Sequence, residues 1–494
     1  MVKLFTIGDS STHGVMSLAA ARTDLCFSSL IARALNIRDY RIPTWPAGGV
    51  PLDLERLFRR LESRYGNDIK FLEWPLAALT INAVMDEAED YYERGLGRPD
   101  QPYPDGVKYF HNAAIRGFDV ADSWLVSERV CLEGIAAARS GRRDSPFFGM
   151  PGPPVYRVGE KVLNPSNDPL FADYTQLDWV RHHAEGEGIE NLIVWLGSNN
   201  ALNTILTLAI RPTPGNSTPR PHEVTHHERA AARWNLWHPG DFAAEYGEFL
   251  TRLAKALENN KHKNCLVLLG NVPHVTIAPV LKGVGPKYTI RRGPLWNPQE
   301  PDQRVYYKYY TYFPFEEEFA HKTTKRLTLQ DALYVDTCID QYNRDIERLV
   351  ARHNQQRSPS DPRFVIVDIN LSLAQMAWKR NDGNPTYELP SYFQWVYPKP
   401  DTRYYHADPD GSLKQGGVFS LDGVHPSAIG QGLLAYEYLK VMERENAGVG
   451  PAALDWESIF RSDSLYQKPI RLMQEVRQHS DFAENVLQLI ALFR

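Results

Sequence analysis

The sequence predicts an α/β fold built on a parallel sheet, and three observations carry that expectation. Five short apolar runs, at residues 4–8, 40–45, 192–196, 265–269 and 364–369, read as buried parallel strands. Between them, apolar residues recur at three- and four-residue spacing over 16–35, 52–61, 242–257 and 332–350, the period of amphipathic helices. Strands that alternate with helices pair in parallel through right-handed crossovers.

The first run ends in Gly8-Asp9-Ser10, which places a serine at the carboxyl end of a strand and the start of a helix. Open α/β sheets bind their ligands at that end. Free N–H groups at a helix start also suit a developing oxyanion. The bland reading is a helix cap, a task that Asp and Ser both perform. The second run is followed by Gly48-Gly49, where glycine lets a backbone N–H approach a ligand closely or simply makes a tight turn.

The gap between the second and third runs is far longer than one crossover helix needs. Proline-rich stretches at 98–105, 145–155 and 211–221 read as loops or insertion boundaries. The third run leads into Gly197-Ser198-Asn199-Asn200, and an asparagine amide there can point into the same crevice. The fourth is followed by Gly270-Asn271-Val272-Pro273 and then by the aromatic run 305–315, VYYKYYTYFPF. That run reads as packing of a bulky insertion or as a lid, and packing is the simpler account. A second aromatic stretch spans 391–398. The chain after about residue 447 reads as amphipathic helices ending at 482–493.

Beyond the fifth run lies Asp422-Gly423-Val424-His425-Pro426, ahead of a helix at 427–442. A carboxylate three residues before a histidine can turn back to accept its Nδ1–H. That fixes the tautomer and frees Nε2 to take a proton from a serine. The same pentapeptide also reads as a turn before a proline-started helix.

These blocks, in this order, resemble the SGNH, or GDSL, hydrolase superfamily. Tyr342-Asn343 and the 270–273 turn are similar to its larger, plant-lipase-like branch. The resemblance implies a flavodoxin-like three-layer α/β/α sandwich with a five-stranded parallel sheet of order 2-1-3-4-5. It would cover 1–446, with insertions at about 85–170, 205–235 and 280–330, followed by a helical extension at 447–494. It implies Ser10 as nucleophile, with His425 as base and Asp422 as its orienting partner. The oxyanion hole would combine the Ser10 N–H, a glycine N–H at Gly48 or Gly49, and the Asn199 side chain. The activity implied is hydrolysis of a small-molecule carboxylic ester through an acyl-enzyme, with no metal or organic cofactor.

The chain departs from the family in two places. Ser11-Thr12-His13 follows the nucleophile where leucine is common, and Asn200 stands where aspartate is common. Esterase or lipase chemistry is the first expectation, ahead of thioesterase or carbohydrate deacetylase. Acyl transfer to another alcohol uses the same residues.

Two other classes remain open. One is a catalytically silent binding or scaffold protein on this fold. The other is a zinc metallohydrolase through His222-Glu223-Val224-Thr225-His226, an HExxH match that follows a proline-rich loop without an evident third ligand. His182-His183 reads as surface, and His13 as a pocket residue or a cap.

Composition narrows the field further. A net charge of -5, from 55 basic and 60 acidic residues, argues against nucleic-acid binding. No apolar run approaches the ~18 residues of a membrane span. Cys26, Cys131, Cys265 and Cys338 are far apart and read as reduced core thiols. With no signal-peptide pattern at the start, the expectation is a cytoplasmic protein, or a secreted one if a leader has been trimmed. The sequence leaves oligomeric state open.

Overall fold

The computed structural model describes residues 1–141, 151–315, 317–322 and 325–473. The expected helix at 482–493 lies outside the described residues, as does part of the proline-rich stretch 145–155. Six strands matter for the site: β1 (Val2–Gly8), β2 (Ile189–Trp195), β3 (Leu266–Gly270), β4 (Leu281–Arg291), β5 (Gln303–Tyr312) and β6 (Arg363–Val367). Strands β1, β2, β3 and β6 form a four-stranded parallel sheet in that order. Their side chains alternate between two cores, as the period of two demands. Phe5, Ile7, Leu192, Val194, Val267 and Leu269 face one core. Leu4, Ile193, Trp195, Leu268, Val365 and Val367 face the other.

Helices cover both faces. In chain order those used below are α1 (Ser10–His13), α2 (Phe27–Ala34), α3 (Leu54–Tyr65), α4 (Gln176–Gly186), α5 (Asn199–Thr207), α6 (Pro239–Ala256), α7 (Leu329–Gln356), α8 (Ile369–Met376), α9 (Ala428–Arg444) and α10 (Trp456–Ser462). Helices α4, α6 and α7 bury their apolar stripes in the first core, where Phe242 stacks on Tyr342 at 4.0 Å. A capping box of Thr328 and Asp331 starts α7. Helices α2, α9 and α10 fill the second core, so the stretch 449–466 packs on the body. Among the described residues no helix is long and apolar enough to cross a membrane.

The second expected strand does not form. Pro43 interrupts the 40–45 run and removes a ladder donor, and Thr44 bonds to the Tyr103 hydroxyl instead. A ribbon at 111–115 takes the place beside β1. Thr6 N–H donates to His111 O, Ala113 N–H to Thr6 O, and Ile115 N–H to Gly8 O, a parallel pattern. Gln176 fastens this ribbon by donating from Nε2 to Gly8 O and Ala113 O.

The helix expected over 16–35 is also divided. A two-strand hairpin, Val15–Met16 with Ala19–Ala20, precedes α2. Its turn residues Ser17 and Leu18 have φ 46° and 80°, which no helix accommodates.

The insertion after β3 carries an antiparallel sheet of β4, β5 and the short strand Leu327–Thr328. Strands β4 and β5 pair along their length, and β5 carries most of the aromatic run. Tyr306 and Tyr310 are buried, and the Tyr312 hydroxyl donates to Leu206 O, so these rings are packing. His183 corrects the surface reading: it is buried between Phe5 and Tyr109. Burial pushes its imidazole pKa down to about 3. All four cysteines are buried free thiols.

Candidate active site

Ser10 heads α1 at the carboxyl end of β1. Gly8 is required there, because a Cβ would lie 2.7 Å from Trp195 O. Asp9 caps the helix by accepting from the Ser11 N–H at 3.1 Å. Burial pushes the Asp9 carboxyl up to about 6, against the opposing pull of the Ser11 amide, His425, the Thr12 amide and the Ser198 hydroxyl. Gly14, at φ 89°, ends the turn. Ser10 itself is 6% exposed.

Asp422 and His425 form the expected pair, with Nδ1 2.8 Å from Oδ2. Three backbone amides also serve the carboxylate. Val424 and His425 donate to Oδ1 at 2.9 and 2.8 Å, and Leu18 donates to Oδ2 at 2.7 Å. Burial alone would raise the Asp422 pKa. The His425 charge and hydrogen bond, with the amides, outweigh it and hold the carboxyl below its ordinary value. Gly423 makes the turn possible at φ 65°, and a Cβ there would meet Val280 N at 2.8 Å. His425 also lies close enough to Asp9 for their charges to interact. Among the described residues Ser10 Oγ has no hydrogen-bond partner. Catalytic contacts of this kind are often loose until substrate binds.

Asn199 is the first residue of α5, and its Nδ2 donates to Phe118 O at 2.8 Å. Gly197, at φ 118°, precedes it. Asn200 points away, into the buried core, where it holds Val120 N–H and Glu245. Its amide accepts from one partner and donates to a carboxylate, which suits asparagine and not aspartate.

The glycines divide differently from the expectation. Gly49 gives its N–H to Pro46 O, while Gly48 and Gly49 pack against Arg56 and Ala20. Among the described residues no hydrogen bond joins either to Ser10, Asn199 or His425. Gly117, at φ 79°, instead follows the 111–115 ribbon and adjoins Phe118, the residue that holds Asn199. The sequence reading missed Gly117 because it assigned the strand beside β1 to 40–45.

His222 and His226 do not share a helix. His222 lies in a short turn at Pro221–Glu223, and Thr225 caps a new helix that begins at His226. The His226 ring is engaged on both sides, by Asp122 at 2.8 Å and the Tyr156 hydroxyl at 3.0 Å. His274, Glu300 and Asp340 converge closely enough to hold a metal ion. Arg304 already fills that role. Its guanidinium donates to Glu300 Oε2 and to both oxygens of Asp340. His13 is buried, bonds to Ala114 O at 2.6 Å and is pushed down to about 4 by burial. It packs on Trp45 and takes no part in the pair.

No family model, curated protein or solved structure matches the chain.

Proposed function

We propose that the protein is a serine hydrolase of the SGNH type that cleaves carboxylic esters through an acyl-enzyme. The observation that carries this reading is the Asp422–His425 pair, 2.8 Å apart on a loop whose amides also grip the carboxylate. It faces the sheet end where Ser10 heads a helix. Counting the 111–115 ribbon as the second strand gives the order 2-1-3-4-5 of a flavodoxin-like sheet. The buried free thiols support a reducing, cytosolic setting.

In this mechanism His425 Nε2 takes the Ser10 proton as Oγ attacks the ester carbonyl. Asp422 keeps the proton on Nδ1 and stabilises the imidazolium. The oxyanion is received by the Ser10 N–H, the Asn199 amide and the Gly117 N–H, which replaces Gly48 or Gly49 in that role. His425 then protonates the departing alkoxide. Water, activated by the same histidine, releases the acyl group.

The test is labelling with a fluorophosphonate and location of the adduct by mass spectrometry. Labelling at Ser10 that Ser10→Ala and His425→Ala both abolish is expected. Folded wild-type protein that does not label overturns the reading in favour of a silent scaffold.

A further inference from the structure

An apolar slot of about 80 Å³ runs between α8 and α9. Ile369, Ser372, Leu373 and Met376 form one wall, at the spacing of a single helix face. Leu433, Leu434 and Glu437 form the other, and Trp195 closes the slot against the sheet. Ser11, Ser198, Val424 and Pro426, the chain neighbours of Ser10, Asn199 and His425, also line it. The slot therefore lies beside the proposed chemistry and extends along α9.

We propose that this slot binds the acyl chain of the ester, a straight saturated chain of about four to eight carbons; the assignment rests on the serine-hydrolase reading. Size sets the length. One water-sized group needs about 10–15 Å³ of such space, so the slot takes roughly five to eight of them in a row. The distal end sets the upper limit. Glu437 stands roughly 16 Å from Pro426 along the helix, at 1.5 Å per residue. It is 8% exposed, bonded by the Tyr387 hydroxyl and paired with Lys440 at 2.7 Å. A longer chain would have to press methylenes against that carboxylate and strip its remaining water. Shape sets the selectivity for straight chains, since the slot lies between the apolar faces of two helices that share one core.

The experiment has two arms. In the first, kcat/KM is measured on p-nitrophenyl esters from acetate to palmitate. The expected profile rises about fourfold per added methylene up to six or eight carbons and then falls. Ser372→Phe, which fills the slot, should cut the octanoate to acetate ratio of kcat/KM at least tenfold. Met376→Ala, which lengthens the slot, should move the optimum to longer chains. In the second arm, octanoate binding to the Ser10→Ala protein is measured by calorimetry, with and without Ser372→Phe. Binding that Ser372→Phe weakens at least tenfold supports the slot, even if wild-type protein fails to label and the hydrolase reading falls. A flat chain-length profile, an unshifted optimum in both variants, or octanoate binding that is absent or indifferent to Ser372→Phe overturns it.

Discussion

Leu18 reaches Asp422 through its backbone: its N–H lies 2.7 Å from Oδ2, the oxygen that also receives His425 Nδ1. To do so, Ser17 and Leu18 adopt φ 46° and 80° in a two-residue hairpin turn. Such turns normally use Asn-Gly, and a branched apolar residue in this region costs about 1–2 kcal/mol. The exchange with the Asp422 loop is reciprocal. Ser17 N–H donates to Ser420 Oγ, and Leu421 N–H donates to Ser17 Oγ. Strain at a position that clamps a buried carboxylate is where a functional site keeps it.

Arg116 holds the other side of that turn. Its Nη1 donates to Leu18 O and Val50 O, each at 2.9 Å, and no carboxylate among the described residues pairs with it directly. Burial lowers its pKa to about 10, with Asp422 opposing. Arg116→Met should leave two buried carbonyls short of a donor, at about 1–3 kcal/mol of stability. It should also lower kcat about tenfold at unchanged KM, because Asp422 loses its anchor while the substrate slot is untouched. Arg116→Lys should recover part of both. Thermal melts beside steady-state kinetics check this, and a change confined to KM contradicts it.

Asn199 has two N–H groups on Nδ2, and Phe118 O takes one of them. That bond orients the amide and leaves the second hydrogen for an oxyanion. Asn199→Ala should therefore cost 10²–10³ in kcat, roughly 2.7–4 kcal/mol of transition-state stabilisation, with little change in KM. Asn200→Asp should be nearly silent in kcat, since Asn200 faces Glu245 in the core; its cost should appear as lost stability from two facing carboxylates. Kinetics and melts of the two variants, measured together, separate the roles.

Much of this was legible in the sequence, and the misses share a cause. Strands β1, β2, β3 and β6 lie within a few residues of the apolar runs that predicted them, because a strand buried on both faces must be apolar throughout. Ser10 and Asn199 lie just beyond two of those strands, and Asp422 and His425 just ahead of α9, so their places in the fold follow from the same reading. The 111–115 ribbon was invisible. It reads His-Asn-Ala-Ala-Ile, and its polar side chains are buried but fully bonded, Asn112 to Thr12 O and His111 to Arg41 N–H. Hydrophobic periodicity does not register buried polar residues satisfied by distant partners. Gly117 was lost with it. The HExxH match failed for a different reason, since a motif read as one helix is cut by the Thr225 cap.

Arg304 makes a prediction about metal. It supplies positive charge to Glu300 and Asp340, which with His274 form the one compact ligand-like cluster among the described residues. Chelation with EDTA should therefore change neither the melting temperature nor ester turnover. Arg304→Ala should destabilise by about 3–5 kcal/mol, because it strips Glu300 of its cation and leaves buried Asp340 with His274 alone. Loss of activity on chelation, restored by zinc, would return weight to a metallohydrolase.

Asp9 gives a pH dependence of unusual sign. Its folded pKa is raised to about 6 by burial, above the ordinary value of 3.8. A carboxyl raised in this way binds its proton more tightly in the folded state. Stability should then fall as pH rises from about 4 to 6, the opposite of a salt-bridged aspartate such as Asp340, whose pKa is held down at about 2 against burial by His274 and Arg304. Two units correspond to about 3 kcal/mol, an upper figure for the cost of ionising Asp9 in place. Asp9→Asn keeps an oxygen to cap Ser11 N–H and never ionises. It should be more stable than wild type at pH 8, by a margin that shrinks through pH 6 and vanishes near pH 4. Thermal melts of the two proteins at those three values decide it. A constant difference across the range would mean that the Asp9 carboxyl is not raised and that the helix start carrying Ser10 is better hydrated than its burial implies.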